Sequence, residues 1–322
     1  MIVPLSLSFE STLDFTALLN RQLNNSCVLP LENGNFHGRI QIIRLPNIVL
    51  NLIRSSKKIS ICADRSPSSI TFAVDLAPSL LSPITAQGVT ITRPSIFGFH
   101  SSLKDLDLSI DKHSLLCSVI VPLQYLSRIL NNYDLSELPD FLDKYNILSS
   151  SSVRARLVPY LRALFSSSVS HAPSLVCGEA IETDIISLII DCFIDDVGKN
   201  FDSAVTRKDR HQAALYVLST ATLNTGKPLE IQDLSELIHQ SRTSIFNGCK
   251  EKFGMSPVEV VRSVRLHQAR HALLDAEFCK KNNLNGVIDI ANHFGFSSRS
   301  HFSRYYKKCF SESPRQSFST RR

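Results

Sequence analysis

The stretch GFSSRSHFSRYYKKCF, residues 295–310, sets four basic side chains (Arg299, Arg304, Lys307 and Lys308) and a histidine among five aromatic rings, with no acid. Arginine bonds O6 and N7 of guanine together, serine donates to or accepts from any base, and lysine neutralises phosphate. Phe302, Tyr306 and Phe310 recur every four residues, the spacing of a stripe that one helix face buries. Arg299, Ser300, Ser303 and Arg304 lie outside that stripe near the helix start, and Lys307 and Lys308 follow further along. A helix in the major groove touches base edges near its N-terminal end. The first four residues are therefore candidate base readers and the two lysines candidate phosphate ligands. For Arg304 the alternative is a solvated helix arginine with no fixed partner. Tyr305 fits a phosphate contact and a surface-packing role equally.

The elements that must position these residues occur twice. DLSELIHQSRTSIFNGCKEKFGMSP (233–257) matches DIANHFGFSSRSHFSRYYKKCFSESP (289–314), with Ile245 aligned to Phe302, Lys250 to Lys307, Phe253 to Phe310 and Ser256-Pro257 to Ser313-Pro314. Each copy reads as a short helix, a tight turn and a second helix, the helix-turn-helix arrangement. By the repeat, Arg242, Thr243, Phe246 and Asn247 take the reading face of the first copy, and Lys250 and Lys252 are its phosphate candidates. Asn247 suits adenine and Phe246 a thymine methyl. The alternatives are an inward-turned Phe246 and a solvated basic face. Ser241 is placed as N-cap of the first reading helix. Between the copies, SPVEVVRSVRLHQARHALLD (256–275) opens with Ser256 as N-cap, Pro257 in the first turn and Glu259 three residues after the cap, a capping box. Its residues 256–274 span about 28 Å as a helix, near the roughly 34 Å of one DNA turn. Two second helices so separated can enter successive major grooves.

The 322 residues, 43% of them hydrophobic, suffice for two domains with real cores. Charge is uneven. Residues 206–322 hold 19 Lys+Arg against 10 Asp+Glu, whereas residues 1–205 hold 16 against 19. The basic part suggests a polyanionic partner, a solvated charged surface being the alternative. No run approaches the roughly 18 apolar residues of a membrane-crossing helix, and MIVPLSLSFESTLDF lacks the basic start and cleavage site of a secretory signal. A cytoplasmic protein without membrane contact is expected. Eight scattered cysteines without a CxxC pair read as reduced core thiols, with a thiol redox switch as the alternative. His267 and His271 sit four apart in the linker helix, but no third ligand follows, so they read as exposed helix histidines. No metal or cofactor is expected. GxxxxGK[ST], GxSxG and HExxH are absent from the sequence, which leaves an enzymatic reading without support.

Up to about residue 120 the pattern is strand-like in RIQIIRLPNIVLNLIRS, SITFAVDL and GVTITRPSIFGF, punctuated by Pro46, Pro67, Pro78, Pro83, Gly88 and Pro94. LLCSVIVPLQYLSRIL reads as a strand that passes through Pro122 into a helix. From about 150 the spacing turns helical. Ser-rich stretches at 149–152 and 166–170 read as connectors, and GKNFDSAVTRKDR as a second linker.

With these residues in view, 206–322 resembles the DNA-binding domain of the AraC/XylS family of bacterial transcription regulators. The resemblance is carried by FGMSPVEVVRSVRLHQARHALL and DIANHFGFSSRSHFSRYYKKCFSESPRQS. FHGRIQIIRLPNIVLNLIRS is weakly similar to ethanolamine-utilisation-type regulators. The first copy departs from the family pattern at Phe246, Gly248 and Cys249, and a glycine inside a helix costs about 1 kcal/mol relative to alanine. The resemblance implies an α+β chain. Residues 1–200 would form a β-rich, cupin-like domain with trailing helices that binds an effector or dimerises. Residues 206–322 would form an all-α domain of two helix-turn-helix units, 231–253 and 286–310, joined by the linker helix 256–275. It also implies a sequence-specific DNA-binding transcription regulator, an activator responding to a small-molecule effector and working with RNA polymerase as a homodimer at the bacterial nucleoid. Effector-binding residues are not assigned: Arg39 and Arg93 are candidates for pairing with an anion, or surface charges. The helix at 178–196 reads as a dimer seam or a buried helix. A repressor or ligand-independent DNA-binding protein is the alternative within the class, and a cupin-type enzyme with a basic helical domain the alternative outside it.

Overall fold

In the computed structural model, which describes residues 4–77, 83–91, 94–132, 138–166, 175–194, 200–203, 209–225 and 231–320, the run Leu116–Pro122 is a strand and a helix starts at the next residue. The chain begins with β1 (Leu5–Phe9), α1 (Thr12–Leu19), β2 (Asn24–Pro30), β3 (Gly38–Arg44), β4 (Val49–Ser55), β5 (Ile59–Asp64) and β6 (Ser69–Asp75). It continues with β7 (Ile84–Ala86), β8 (Val89–Ile91), β9 (Ser95–Phe97), β10 (Asp105–Ile110), β11 (Leu116–Pro122), α2 (Leu123–Asn132), α3 (Leu138–Lys144) and β12 (Tyr145–Ser149). A π-helical turn at Val153–Leu157 leads into α4 (Val158–Ser166), followed by α5 (Leu175–Ile194) and β13 (Asn200–Ser203). The rest is helical: α6 (Asp209–Leu223), α7 (Ile231–Leu237), α8 (Arg242–Phe253), α9 (Pro257–Leu274), α10 (Ala276–Lys281), α11 (Val287–His293), α12 (Arg299–Phe310) and α13 (Pro314–Ser319).

These elements form two compact units. One comprises Met1–Ser8, Gly38–Ser56 and Asp64–Thr206, the other Phe9–His37, Lys57–Ala63 and Arg207–Arg322. In the first, eight strands run in the order β1-β3-β4-β11-β6-β9-β12-β13, antiparallel from β3 to β13. Strands β10, β7 and β8 pair antiparallel as well, with Leu108 opposite Ala86 and Ile84 opposite Ile91.

The expected cupin-like barrel does not form. The eight-stranded sheet is open, with β1 at one edge and β13 at the other. Helices cover one face of it. Leu126 and Leu130 of α2, Leu142 of α3, Leu161 and Phe165 of α4, and Ile185, Ile186, Ile189 and Phe193 of α5 share one core with Leu50, Phe72, Ile96 and Val119 of the sheet. A helix must bury its apolar stripe against some other layer, and here that layer is one face of the open sheet. One face of α5 is thus buried within its unit, while Glu179, Ala180, Thr183, Asp184 and Ile194 stay exposed. Its Glu182 carboxylate, almost inaccessible, accepts from the backbone N–H and the side-chain amide of Asn47, both at 2.7 Å. Arg39 is exposed, whereas Arg93, residues 167–170 and most of the stretch 198–208 lie outside the described residues. Ser149–Ser152 form a short connection from β12 into the next helix: Ser149 closes the strand, and the Ser150 hydroxyl accepts from the Ser152 N–H at 3.2 Å as the helix begins. Among the described residues no helix is long and apolar enough to cross a membrane.

The second unit joins α6–α13 to an N-terminal segment. Rings of Phe9 and Phe15 stack at 4.2 Å and those of Phe9 and Phe36 at 5.3 Å. Cys27, Leu29 and Cys62 enter the same core as Ala214, Leu218, Ile245, Phe253 and Val260. Burial pushes the Cys249 thiol up to about 12 and the Cys309 thiol up to about 11, so neither is a thiolate at neutral pH.

The internal repeat is visible in the caps. Ser241 and Ser298 each cap a twelve-residue helix by accepting an N–H from the third residue on. Both helices end in a left-handed residue, Gly254 at φ 71° and Ser311 at φ 61°. Ser256-Pro257 with Glu259, and Ser313-Pro314 with Gln316, then form two capping boxes. A left-handed backbone costs a residue with a Cβ about 1–2 kcal/mol, and glycine nothing. Ser311→Gly is therefore expected to raise stability by about 1 kcal/mol in urea unfolding, against a loss of similar size for Gly254→Ala.

Candidate nucleic-acid interface

On α12, Phe302, Tyr306, Cys309 and Phe310 are buried, with ring centroids 5.5 Å apart for Phe302–Tyr306 and 4.6 Å for Tyr306–Phe310. The inner end of Tyr306 is fully partnered. Its hydroxyl lies 2.7 Å from Ser317 Oγ, Ser317 Oγ donates to Glu312 at 2.8 Å, and Glu312 pairs with Arg270 of α9 at 3.1 Å. Burial holds the Tyr306 phenol above its ordinary range, so it stays protonated within this chain of bonds. Stripe and network together lock α12 in one rotation about its axis.

That rotation leaves Arg299, Ser300, Arg304 and Lys307 exposed and Ser303 half-buried. Lys308 is exposed too, but it borders a cavity of about 250 Å³ shared with Arg262, Leu266, His267 and Tyr305. Adjacent lysines in the sequence therefore stand in different surroundings. Among the described residues no carboxylate pairs with Arg262, Arg299, Arg304, Lys307 or Lys308, while Arg270 is taken by Glu312 and Lys250 by Glu259. Sequence reasoning passed over Arg262, whose guanidinium lies 4.1 Å from the centre of the Tyr305 ring. Its only signal was a basic residue in a linker helix.

On α8, Ile245, Gly248, Cys249 and Phe253 are buried. Arg242, Thr243, Phe246 and Asn247 are exposed, Phe246 by 45%, so its ring points outward. The Arg242 guanidinium is hydrogen-bonded to the Gln232 side chain of α7. Lys250 sits 5.9 Å over the Phe246 ring and 3.3 Å from Glu259, and Lys252 is half-buried. Glu259 is held down to about 2, first by the Ser256 N–H, then by the Ser256 hydroxyl and Lys250.

Gly248 has a cause in packing. A Cβ there would stand 1.8 Å from the carbonyl oxygen of Arg210, so α8 and α6 touch backbone to backbone. The histidine expectation needs correction. His267 is not exposed but 6% accessible, packed edge-on against Phe310 at 5.0 Å. His271 faces Asp14 instead, at 3.6 Å. Among the described residues no group of three or more His, Cys, Asp or Glu gathers around a metal-sized space.

Residues 234–319 match a family model described as a helix-turn-helix domain. The HTH-type transcriptional activator RhaS of Yersinia pestis (strain Pestoides F) is 29% identical over 149 residues, 46% of this chain and 50% of the relative. The chain thus spans about half the length of the curated relatives it matches. A transcriptional regulator structure from Chromobacterium violaceum, described by its AraC-type DNA-binding domain, is 25% identical over 34% of this chain and 90% of its own, with a TM-score of 0.30. ToxT from Vibrio cholerae overlaps 99% of this chain and 98% of its own at 14% identity and a TM-score of 0.30. Superposition at that level does not establish a common fold.

Two outcomes follow from the packing. Gly248→Ala is expected to cost about 3 kcal/mol of stability by overpacking, despite alanine's better helix propensity, whereas Gly286→Ala, whose added Cβ meets nothing within 4 Å, should cost under about 1 kcal/mol. Burial, and then the charge of Arg270, holds His267 down to about 3. The unfolded chain binds that proton near the ordinary histidine value of 6.5, the folded chain only far lower. Stability is then full above pH 6.5 and falls as pH drops toward 3. Unfolding midpoints measured from pH 7 to 4 should decline, and His267→Leu should flatten the decline.

Proposed function

We propose that this chain, whose residues 234–319 form a helix-turn-helix domain of the AraC/XylS family, is a sequence-specific DNA-binding transcription regulator that acts as an activator. The observation that carries the reading is the pairing of α8 and α12. Each is a twelve-residue helix with a serine N-cap and a left-handed end, and each packs against α9. At 1.5 Å per residue α9 spans about 27 Å, suited to two helices in successive major grooves.

On this reading Arg299, Ser300, Ser303 and Arg304 read bases from α12, and Arg242, Thr243, Phe246 and Asn247 from α8. Lys307, Lys308, Lys250 and Lys252 meet phosphates. The exposure of most of these side chains supports it, as does the fact that among the described residues no carboxylate pairs with Arg299, Arg304 or Lys307. Lys250 has to trade Glu259 for a phosphate. The residue ranges read from the sequence, 206–322 for the DNA-binding part and 1–200 for the rest, belong to the same proposal. So do RNA polymerase, a small effector and a second copy of this chain as partners, and the bacterial cytoplasm as the location.

The test is binding of the full chain to DNA selected from a randomised pool, followed across salt concentrations. Arg304→Ala should weaken the selected complex by about 1–3 kcal/mol and relax preference at one base pair. Lys307→Ala should weaken all sequences alike and lower the salt slope by about 1. A wild-type chain showing no preference among sequences at moderate salt overturns the reading.

A further inference from the structure

Tyr305 follows Arg304 on α12 and is half-buried. Two guanidiniums share its ring: that of Arg262, from α9, at 4.1 Å from the centroid, and that of Arg304 at 5.0 Å. Arg304 Nη2 also donates to the Tyr305 hydroxyl at 3.4 Å. Among the described residues neither arginine has a carboxylate to fall back on. An arginine on an open helix face samples many rotamers and loses that freedom when it binds. The negative face of an aromatic ring restrains a guanidinium and, beside the one donor given to the Tyr305 hydroxyl, leaves its other donors free. Arg262 fixes the ring in turn, because it reaches Tyr305 from a different helix.

From this arrangement we infer that Tyr305 is the positioning residue for Arg304, with Arg262 of the linker helix holding the ring in place. Arg304 is thereby oriented toward the base it reads, and the orientation is set by α9 as well as by α12. In the first copy the position of Arg304 is taken by Asn247, and Arg242, the counterpart of Arg299, is hydrogen-bonded to Gln232 of α7. The inference rests on the reading of Arg304 as a base contact, and it decides between the two roles that residue type alone left open for Tyr305.

The experiment uses the full chain, its selected DNA site and sites changed at the base pair where Arg304→Ala loses preference. Tyr305→Ala should lower discrimination at that base pair about tenfold, within the range of a good bidentate contact, and leave the salt slope unchanged. Tyr305→Phe keeps the ring and should retain most of the discrimination. Arg262→Leu should lose part of it. Adding Tyr305→Ala to Arg304→Ala should cost nothing further at that base pair, the signature of two residues acting through one contact. Should Tyr305→Ala unfold the domain, Tyr305→Leu keeps apolar bulk without the ring face and is expected to show the same loss. Additive effects, or an equal loss of affinity on all sequences with discrimination intact, identify Tyr305 as a phosphate ligand and overturn the inference. If Arg304→Ala changes preference at no position, the base-reading assignment falls and the inference with it. If Arg304→Ala relaxes preference while Tyr305→Ala and Arg262→Leu do nothing, only the inference falls.

Discussion

One helix has to complete two cores. Val260, Val261 and Val264, toward the start of α9, pack with α6 and α8, while Leu266, Ala269, Ala272 and Leu273 pack with α10, α11 and α12. The seven-residue α7 and α11 are too short to be stable alone, and neither copy has enough apolar surface of its own to close a core. Both borrow α9 as a wall. Its start is fastened by the Ser256–Glu259 box, and just past its end Asp275 caps α10. Everything that α8 and α12 present outward is referred to that one stiff element.

The acids of this unit are largely spent inside it. Glu259 serves the Ser256 N–H and Lys250, Glu312 serves Arg270 and Ser317, and Glu251 sits 2.9 Å from Arg210. Among the described residues Arg299, Arg304 and Lys307 have no carboxylate partner. The positive face combines the surplus of bases in residues 206–322 with the pairing of these acids elsewhere. Phe302, Tyr306 and Phe310 do the complementary work by fixing which side of α12 faces outward.

Features that depend on near neighbours in the chain are legible in the residues themselves. Ser241, Ser256, Pro257 and Glu259 announce helix starts, because a cap is satisfied within four residues, and the Phe302–Tyr306–Phe310 spacing announces a buried stripe. The passage from strand to helix at Pro122 is equally plain. Features set by distant partners are not legible in this way. Strand-rich composition reads the same whether a sheet closes or is covered, and only the fit of α2–α5 onto it separates the two. His267 looks like any helix histidine until Phe310 is known to lie against it, and Gly248 looks like a defect until the Arg210 carbonyl is known to touch it. Nothing in residues 9–37 marks them as companions of a helical unit more than 170 residues further along.

That last arrangement bears on how the chain is made. Cys27 and Leu29 lie in a core whose other members, Cys62 apart, begin at Ala213, and the Gly34 N–H bonds to the carbonyl of Cys309. At about 5–20 residues per second of synthesis, the segment emerges tens of seconds before α12 exists. During that interval the part of its apolar surface that meets α6–α13 has no native partner, while the stacking of Phe9, Phe15 and Phe36 and the pairing of β2 with β5 are local enough to form. A ribosome-bound chain stalled before α6 would therefore present this segment to chaperones, and passage beyond α12 would withdraw it.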